Sequence, residues 1–550
     1  MSNRFATISL VLLVTFFGGI ILFVIGLFLF PGISLFGIRY VSLDGRAVTT
    51  YNAEGQPGPS IIHDRIGDDF SGIIINAYEV PVYVEFTDNR QYSLEYIDNF
   101  NGLTTSKIEY PSIEFKKDEM GNAVITVSEF KKFIYESTTS TRHIRLLVPI
   151  RDVDSTAPFA RDITINSTKS TVEFSKEEGE SRIPKFHHVS IKTNGKVKYN
   201  TEVKAHYYTL ETSNSIVIDK ESKKCVNATK GHYLKSTAGS ITIEKDEVGE
   251  LKVETNQGNI SFRNCDTLEA KTNYGKISYN FLPDEEKEGK GIVVYGNAII
   301  NSKAGSVEIS KINGSVPSEI TTTSGNVVVD KLYFGKVITK RGLVDINESN
   351  VLEVESNTGK IIIEEVTNNL IVKTVRSNIT LGGENKKMKD VDVFSRIGKV
   401  TMLSSTGSTK IETLKGDVDY TNLSSEYIDI TCGGKLNATG LRGFVKLTSQ
   451  ENVKLSFADI GSEDITIELG SKCTSAEITA LNNRSDEVNY FIKGSQVLIK
   501  ENQNNSEVLL KDTKEYQIKA DSTCHFNITG ENAVISICFK SSDKSSEGAA

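Results

Sequence analysis

A short motif returns at nearly constant spacing along this chain and leaves it few ways to fold. It reads Thr or Ser, one or two turn residues, Gly, a small polar residue or Lys, then alternating β-branched residues. Examples are Thr237-Ala238-Gly239-Ser240-Ile241-Thr242-Ile243 and Thr255-Asn256-Gln257-Gly258-Asn259-Ile260-Ser261-Phe262. Further copies occupy residues 272–279, 303–309, 323–329, 341–346, 357–363 and 396–402. Gly239, Gly258, Gly275, Gly305, Gly325, Gly342, Gly359, Gly398 and Gly416 mostly fall about 17 to 21 residues apart, a period in the range of solenoid coils. Two intervals are longer. The one from Gly275 to Gly305 carries the charged insertion Asp284-Glu285-Glu286-Lys287-Glu288; the one from Gly359 to Gly398 spans two coils, with Arg376-Ser377-Asn378-Ile379 replacing the Gly turn.

A second alternating run lies between the turns, as in Leu251-Lys252-Val253-Glu254, Leu268-Glu269-Ala270-Lys271, Leu352-Glu353-Val354-Glu355 and Leu370-Ile371-Val372-Lys373. Each coil therefore holds at least two short strands of period 2, one face apolar and the other polar. Neither strand buries its apolar face alone. Stacking coils at about 4.8 Å pairs each strand with its equivalents above and below and closes a narrow apolar core. The expected fold is all-β, a parallel β-solenoid of the single-stranded β-helix type. Proline agrees with this, because a ladder strand needs its amide hydrogens and no proline follows Pro317. Asn256, Asn273 and Asn357 sit beside the turn Gly, where residues tolerant of left-handed geometry belong, and stacking would make an Asn ladder of them.

The N-terminus is of another kind. No charged residue occurs from Phe5 to Ile38, and residues 6–30 are almost wholly apolar. As a helix rising ~1.5 Å per residue they reach about 37 Å, enough to cross a hydrocarbon core of about 30 Å with some tilt. A cleaved signal has a shorter apolar stretch and a small-residue cleavage site, and a buried core helix is the other alternative. Pro31 and Gly32 close the expected transmembrane helix, with Phe36 and Tyr40 as interfacial anchors. Arg4 and the N-terminal amine balance Arg39 and Arg46, so charge counting leaves orientation open. A short tail before the apolar stretch and a long polar body after it give the pattern of a signal anchor, with the body extracytoplasmic. The expected plan is a tail (1–5), a transmembrane helix (6–30), a juxtamembrane linker (31–69), an N-terminal β region capping the solenoid (70–184), the repeat solenoid (185–460), a C-terminal β cap (461–540) and a disordered tail (541–550). Strands in the capping region are expected at 72–77, 81–86, 92–96, 123–127 and 144–148.

The apolar anchor, the strand Ile144-Arg145-Leu146-Leu147-Val148-Pro149 and the repeated Thr-x-x-Gly-Lys/Asn/Ser-Ile/Val-x-Ile/Val coils together resemble a bacterial family of adhesin-like β-solenoids that includes the head-GIN type. The resemblance covers about residues 70 to 460. It implies a surface-exposed or envelope protein of adhesive or scaffolding role, and no catalytic residue carries over from it. This body holds more coils and charged insertions than a minimal member.

Residues that carry chemistry are few. A net charge of −8, with Lys and Asp/Glu interleaved, offers no basic stripe for a phosphate backbone, so nucleic acid is not an expected partner. A carbohydrate-active β-helix would need carboxylates gathered in one groove, and Asp284, Glu285 and Glu286 are consecutive, which reads as a solvated charge run. His187 and His188 are adjacent in a strand, so their side chains are expected on opposite faces, with His206 too far along to complete a metal site. Lys276, Lys360 and Lys399 follow turn glycines and would form a basic column along one edge, interrupted by Asn259, Ser306 and Asn326. None of the six cysteines forms a Cys-x-x-Cys pair. Cys524 and Cys538 flank Thr529-Gly530-Glu531-Asn532, a segment able to turn a hairpin that would either oppose the two sulfurs or pair Phe526 with Ile537. The expectation is a membrane-anchored, non-catalytic surface protein with no cofactor or metal, an adhesive or structural role and a surface glycan or protein as partner. A scaffold subunit of a membrane-bound complex and an envelope carbohydrate-active β-helix enzyme are the alternatives.

Overall fold

The computed structural model of the protein describes residues 11–22, 25, 34–35, 38–42, 50–51, 57–58, 71–88, 93–99, 101–105, 113–127, 133–136, 141–150 and 161–540, the last stretch without 181, 219–225, 245–247, 279–291, 384–385, 423, 426, 462, 482–487, 504–505 and 521. The chain divides into two compact units, Met1–Gly239 and Ser240–Ala550. Both are built from parallel β-rungs, as the repeat demands.

In the second unit the motif strands stack in one column. Ile241–Ile243 pairs in register with Ile260–Phe262, and Ile277 bridges to Ile260 on one side and Val307 on the other. Residues 307–309, 327–329 and 344–346 follow, each parallel to the last. The Leu-x-Val strands make the neighbouring column, through 251–255, 268–272, 298–302, 318–322, 335–339 and 352–356. Both continue as parallel columns to Val453–Phe457 and Ile465–Leu469, the first with a register shift between Ala438 and Leu441. Ile260, Ile277, Val307, Val327 and Val344 face inward with no exposed surface. Each buried aliphatic of this size contributes about 1.5–3 kcal/mol.

The chemistry of the corner explains why the motif is spelled Thr-x-x-Gly. Thr255 and Thr272 are buried at the bend, and their hydroxyls accept hydrogen bonds from the amides of Gly258 (3.1 Å) and Gly275 (2.9 Å). In later coils the hydroxyl turns round: Ser302, Thr322 and Thr413 donate to the carbonyls of Gly305, Gly325 and Gly416 at 2.7–3.1 Å. Either way a buried polar group and a turn amide or carbonyl satisfy each other. The glycines themselves form a column. A Cβ on Gly275 would overlap the carbonyl oxygen of Gly258, one on Gly305 that of Gly275, one on Gly325 that of Gly305, and one on Gly359 that of Gly342. Ser377 takes the glycine's place in the coil that lacks one: its carbonyl lies where a Cβ on Gly398 would fall, and its hydroxyl bonds that of Ser356 at 3.2 Å. The expected two-coil reading of this interval therefore holds.

Asparagine does more at these corners than relax the backbone. Asn273 Nδ2 donates to Asn256 Oδ1 at 2.6 Å, one step of the expected ladder. One residue past the glycine, or past Ser377 in its place, the side-chain oxygens of Asn259, Asn326 and Asn378 accept from the amides of Lys276, Leu343 and Lys399 in the next rung, at 2.9–3.1 Å.

Each unit has an end at which rungs stack out of chain order. In the second, Ser475–Leu481 is covered by residues 534–540, and these in turn by Asn489–Gln503. The last strand, His525–Lys540, thus lies inside the stack with parallel neighbours on both faces. Ser506–Ile518 runs antiparallel along Asn489–Gln503, with Lys511 and Lys514 among the charges that blunt its edge. The hairpin expected between Cys524 and Cys538 does not form. Phe526 pairs with Tyr490 and Ile465, Ile537 with Ile499 and Ile478, and no disulfide joins the two cysteines. The Gly530 segment, read as a reversal, is a corner, because a rung flanked on both sides has no room to fold back on itself.

The first unit repeats the device. Gly72–Tyr78 and Val82–Thr87 form a coil lying between that of Ala123–Val127 and Thr141–Pro149 and that of Asp162–Ser167 and Val172–Lys176. Ile113–Lys117 and Ser93–Asn99 add antiparallel strands. All five strands expected in this region are present, with bounds shifted by up to three residues. Within the expected linker, Ile38–Ser42 pairs antiparallel with Asn101–Thr105.

Residues 11–22 are helical, and Leu12 and Leu22 expose 66% and 71% of their surface. Among the described residues no helix is long and apolar enough to cross a membrane. The flanking parts of the expected span, 6–10 and most of 23–30, lie outside the described residues, as do Pro31, Gly32, Phe36, the insertion 284–288 and the tail 541–550.

Two outcomes follow from the stacking. Gly305→Ala is expected to lower unfolding stability by about 1–3 kcal/mol, because the coil beneath must move to admit the methyl; urea denaturation measures it, and an unchanged midpoint would mean the column has slack. Deleting residues 525–540 is expected to speed amide exchange about tenfold or more in 465–481 and 489–503 while leaving 327–356 protected. Uniform protection after the deletion would show that this rung is dispensable.

Candidate functional site

Parallel rungs place equivalent residues in rows, so a site on such a body is a row read across strands. In the first unit one row is out of the ordinary. Asn76, Asn166, Lys192, Glu211 and Lys235 occupy equivalent positions on five successive parallel strands. Each follows a buried aliphatic, respectively Ile75, Ile165, Ile191, Leu210 and Leu234, and so points outward. With Tyr78, Thr168, Thr193, Asn194, Thr212 and their neighbours they line an open cavity of about 580 Å³.

Tyr78 is held there under strain. Its φ is 47°, and it is the only non-glycine residue with positive φ among the described residues. Such a conformation costs a residue with a Cβ about 1–3 kcal/mol. A bulge produces it: Asn166 pairs with Asn76, but Ser167 pairs with Tyr78, leaving Ala77 as the extra residue. Ala77 turns fully inward while Tyr78 stays 40% exposed beside the groove. Three hydrogen bonds fix the bend. The Thr168 amide (2.6 Å) and the Ser167 hydroxyl (2.9 Å) both donate to the Tyr78 carbonyl, and the Val80 amide donates to that of Ala77 (2.9 Å).

The polar row is organised beside it. Asn166 Nδ2 donates to Asn76 Oδ1 at 2.9 Å, and Asn76 Nδ2 to Thr126 Oγ1 at 3.4 Å. Lys192 Nζ meets Glu211 Oε2 at 3.2 Å, so one cation of the row is matched by its one carboxylate. The arrangement offers planar amides, hydroxyls, an ion pair and an aromatic ring on a rigid support. It contains no nucleophile–base pair.

Residues 160–351 match the family described as Toastrack DUF4097. This is a β-solenoid-like repeat fold, and the matched span includes four of the five rungs of the row and the first coils of the second unit. No curated protein and no solved structure is significantly similar to the chain. The Toastrack match supports the repeat fold and does not extend to the adhesin or head-GIN likeness.

The residues weighed from sequence fall elsewhere. His187 and His188 are not on opposite faces: Phe186 and Val189 point inward and both histidines between them lie outward, because the strand bends there without changing its register to the next rung. The alternation expected of a regular strand fails at this bend, which the next rung repeats at His206 and Tyr207. His187 Nδ1 contacts Asp162 at 3.1 Å, and His188 Nε2 contacts Thr209 Oγ1 at 2.7 Å. Burial lowers the His188 imidazole below its ordinary range. Among the described residues no group of three His, Cys, Asp or Glu is placed to hold a metal.

Lys276 and Lys399 are not an open basic ridge either. Lys276 pairs with Glu308 at 2.6 Å and Lys399 with Asp419, while Lys360 lies near Asp345. Burial pushes the Cys265 and Cys432 thiols up, Cys265 to about 12. Cys265 packs as a small apolar side chain, whereas Cys432 takes a corner position equivalent to Thr413, its Sγ 3.3 Å from the carbonyl oxygens of Gly416, Gly434 and Lys435. Sequence reading passed over Asn76 and Tyr78, and met Asn166 only as part of the sequon Asn166-Ser167-Thr168. The usable signal was the shared Ile-Asn dipeptide at 75–76 and 165–166 followed by a hydroxyl residue in the second copy.

The strain at Tyr78 is testable directly. Tyr78→Gly is expected to melt at or above the parent temperature, since glycine adopts this φ without penalty, whereas Tyr78→Val melts several degrees lower. Equal melting of the two variants would remove the strain from consideration.

Proposed function

We propose that the protein is a membrane-anchored, non-catalytic surface protein whose β-repeat body presents a rigid binding face to a partner outside the cytoplasm. The observation that carries this reading is the groove of the first unit: a preformed cavity with polar groups in rows on stacked strands, the usual form of a binding site. Residues 6–30 are the anchor. The described part of that segment is helical and leaves its apolar side chains uncovered, a surface that a bilayer would solvate. An adhesive role fits the breadth of the rows; a structural role in the envelope fits the stacked body equally well.

The non-catalytic reading draws on how carboxylates are used along the rungs. Glu353 lies between Lys336 and Lys373 at 3.3 Å from each, and Asp419 is bonded by Lys399 and Asn437. Burial raises the pKa of both acids, but these partners outweigh it and the net shift is downward. Carboxylates held ionised in cross-rung pairs do not serve as proton donors.

A scaffold subunit docked in a membrane complex is the second reading. It is favoured by Val508, Leu509 and Leu510, consecutive and 40–55% exposed on the outlying strand Ser506–Ile518. An envelope enzyme on carbohydrate would need paired carboxylates in its cleft, and the groove is lined by one, Glu211.

Protease treatment of intact cells tests the main proposal. Cleavage of the body from outside, with the anchor fragment retained in the membrane fraction, is expected. A body cut only after the membrane is opened would overturn the extracytoplasmic assignment.

A further inference from the structure

We infer that the groove beside Tyr78 is a glycan-binding site, specific for an extended, uncharged oligosaccharide laid across the rungs. This rests on the reading of the body as a binding face and names the class of ligand. Four features point to it.

The first is the ring of Tyr78, a flat apolar surface at the edge of a polar groove. Sugars present a face of C–H groups that packs on such a ring, while their hydroxyls need planar donors and acceptors beside it. The second is the amide pair. Asn166 and Asn76 already share a hydrogen bond, which fixes both planes, and among the described residues Asn166 Oδ1 has no hydrogen-bond partner. Exposed Thr168 adds a hydroxyl to the same wall, whereas Thr193 and Thr212 are buried and spend their hydroxyls on the corners, bonding Ser170, Gly195 and Asn214. Amides held rigid before binding lose little freedom on meeting a ligand.

The third is charge. Glu211 neutralises Lys192, so the row does not form the run of unmatched cations that an acidic polymer would require. The fourth is spacing. Rungs recur at about 4.8 Å, and the row spans four such steps, about 19 Å. One rung is close to the length of one pyranose in an extended chain, so successive sugars meet successive rungs of the row. Backbone strain at Tyr78 is consistent with a side chain kept in place for a ligand, since the body alone gains nothing evident from it.

The test uses the full chain in detergent micelles, with cellohexaose and chitohexaose as neutral probes and a heparin-derived hexasaccharide as the acidic one, read by saturation-transfer NMR and calorimetry. At least one neutral hexasaccharide is expected to bind. Tyr78→Gly, whose folding is verified by its melting temperature, is expected to weaken that binding about tenfold or more; Tyr78→Phe keeps it, and Asn166→Leu weakens it. The proposal is overturned if neither neutral probe binds, if Tyr78→Gly binds as well as the parent, or if only the acidic probe binds and Lys192→Gln with Lys235→Gln abolishes it. Failure here is separable from failure of the surface reading. A body cleaved on intact cells that ignores all neutral probes loses the glycan alone, and a protected body that binds them loses the location alone.

Discussion

Along one corner of the second unit, backbone lies against backbone. From Gly258 through Gly275, Gly305, Gly325 and Gly342 to Gly359, and on through Ser377 and Gly398 to Gly416, each glycine leaves no room for a Cβ beside the carbonyl oxygen of the equivalent residue below. That approach sets the pitch of the stack and, with it, the register of every strand. The inward aliphatics then fall one above another, and the polar residues fall in outward rows. Sheet hydrogen bonds alone would tolerate slippage by two residues; a column of corners with no room for a Cβ does not. The buried Thr and Ser hydroxyls complete the corner by satisfying the turn amides and carbonyls that water cannot reach.

Outward rows convert this regularity into surface chemistry. Lys252 meets Glu269, Lys331 meets Glu348 and Lys336 lies between Glu353 and Glu355, each across rungs. Exposed pairs of this kind add little stability singly. What they do is leave most rows electrically matched, so that a row which departs from the pattern stands out. Asn76 and Asn166, with strained Tyr78 beside them, form such a departure.

Much of the scaffold was legible in the sequence because its cause is local and repeated. Thr-x-x-Gly and the alternating strands announce the corner and the two faces of each coil, and the Ser377 coil could be placed without a glycine. The parts that were not legible are those in which a segment answers to neighbours distant in the chain. Residues 524–538 carry the local signs of a hairpin, yet they turn a corner and run on, because strands at 475–481 and 489–503 occupy both sides. His187 and His188 read as alternating, but the rungs bend together there, a property of the stack rather than of the dipeptide. The groove was missed for the same reason. Asn76 and Asn166 lie 90 positions apart, and the rungs of Lys192, Glu211 and Lys235 follow at further steps of 26, 19 and 24, so no short window over the sequence spans the row.

Consider finally the strand His525–Lys540, held between coils that precede it in the chain. A ribosome emits these residues after every coil they touch, so the coil at 489–503 gains its native neighbour only once 525–540 have followed it. Coils such as 327–356 face no such wait. This end of the second unit therefore closes after the coils whose neighbours are emitted in order.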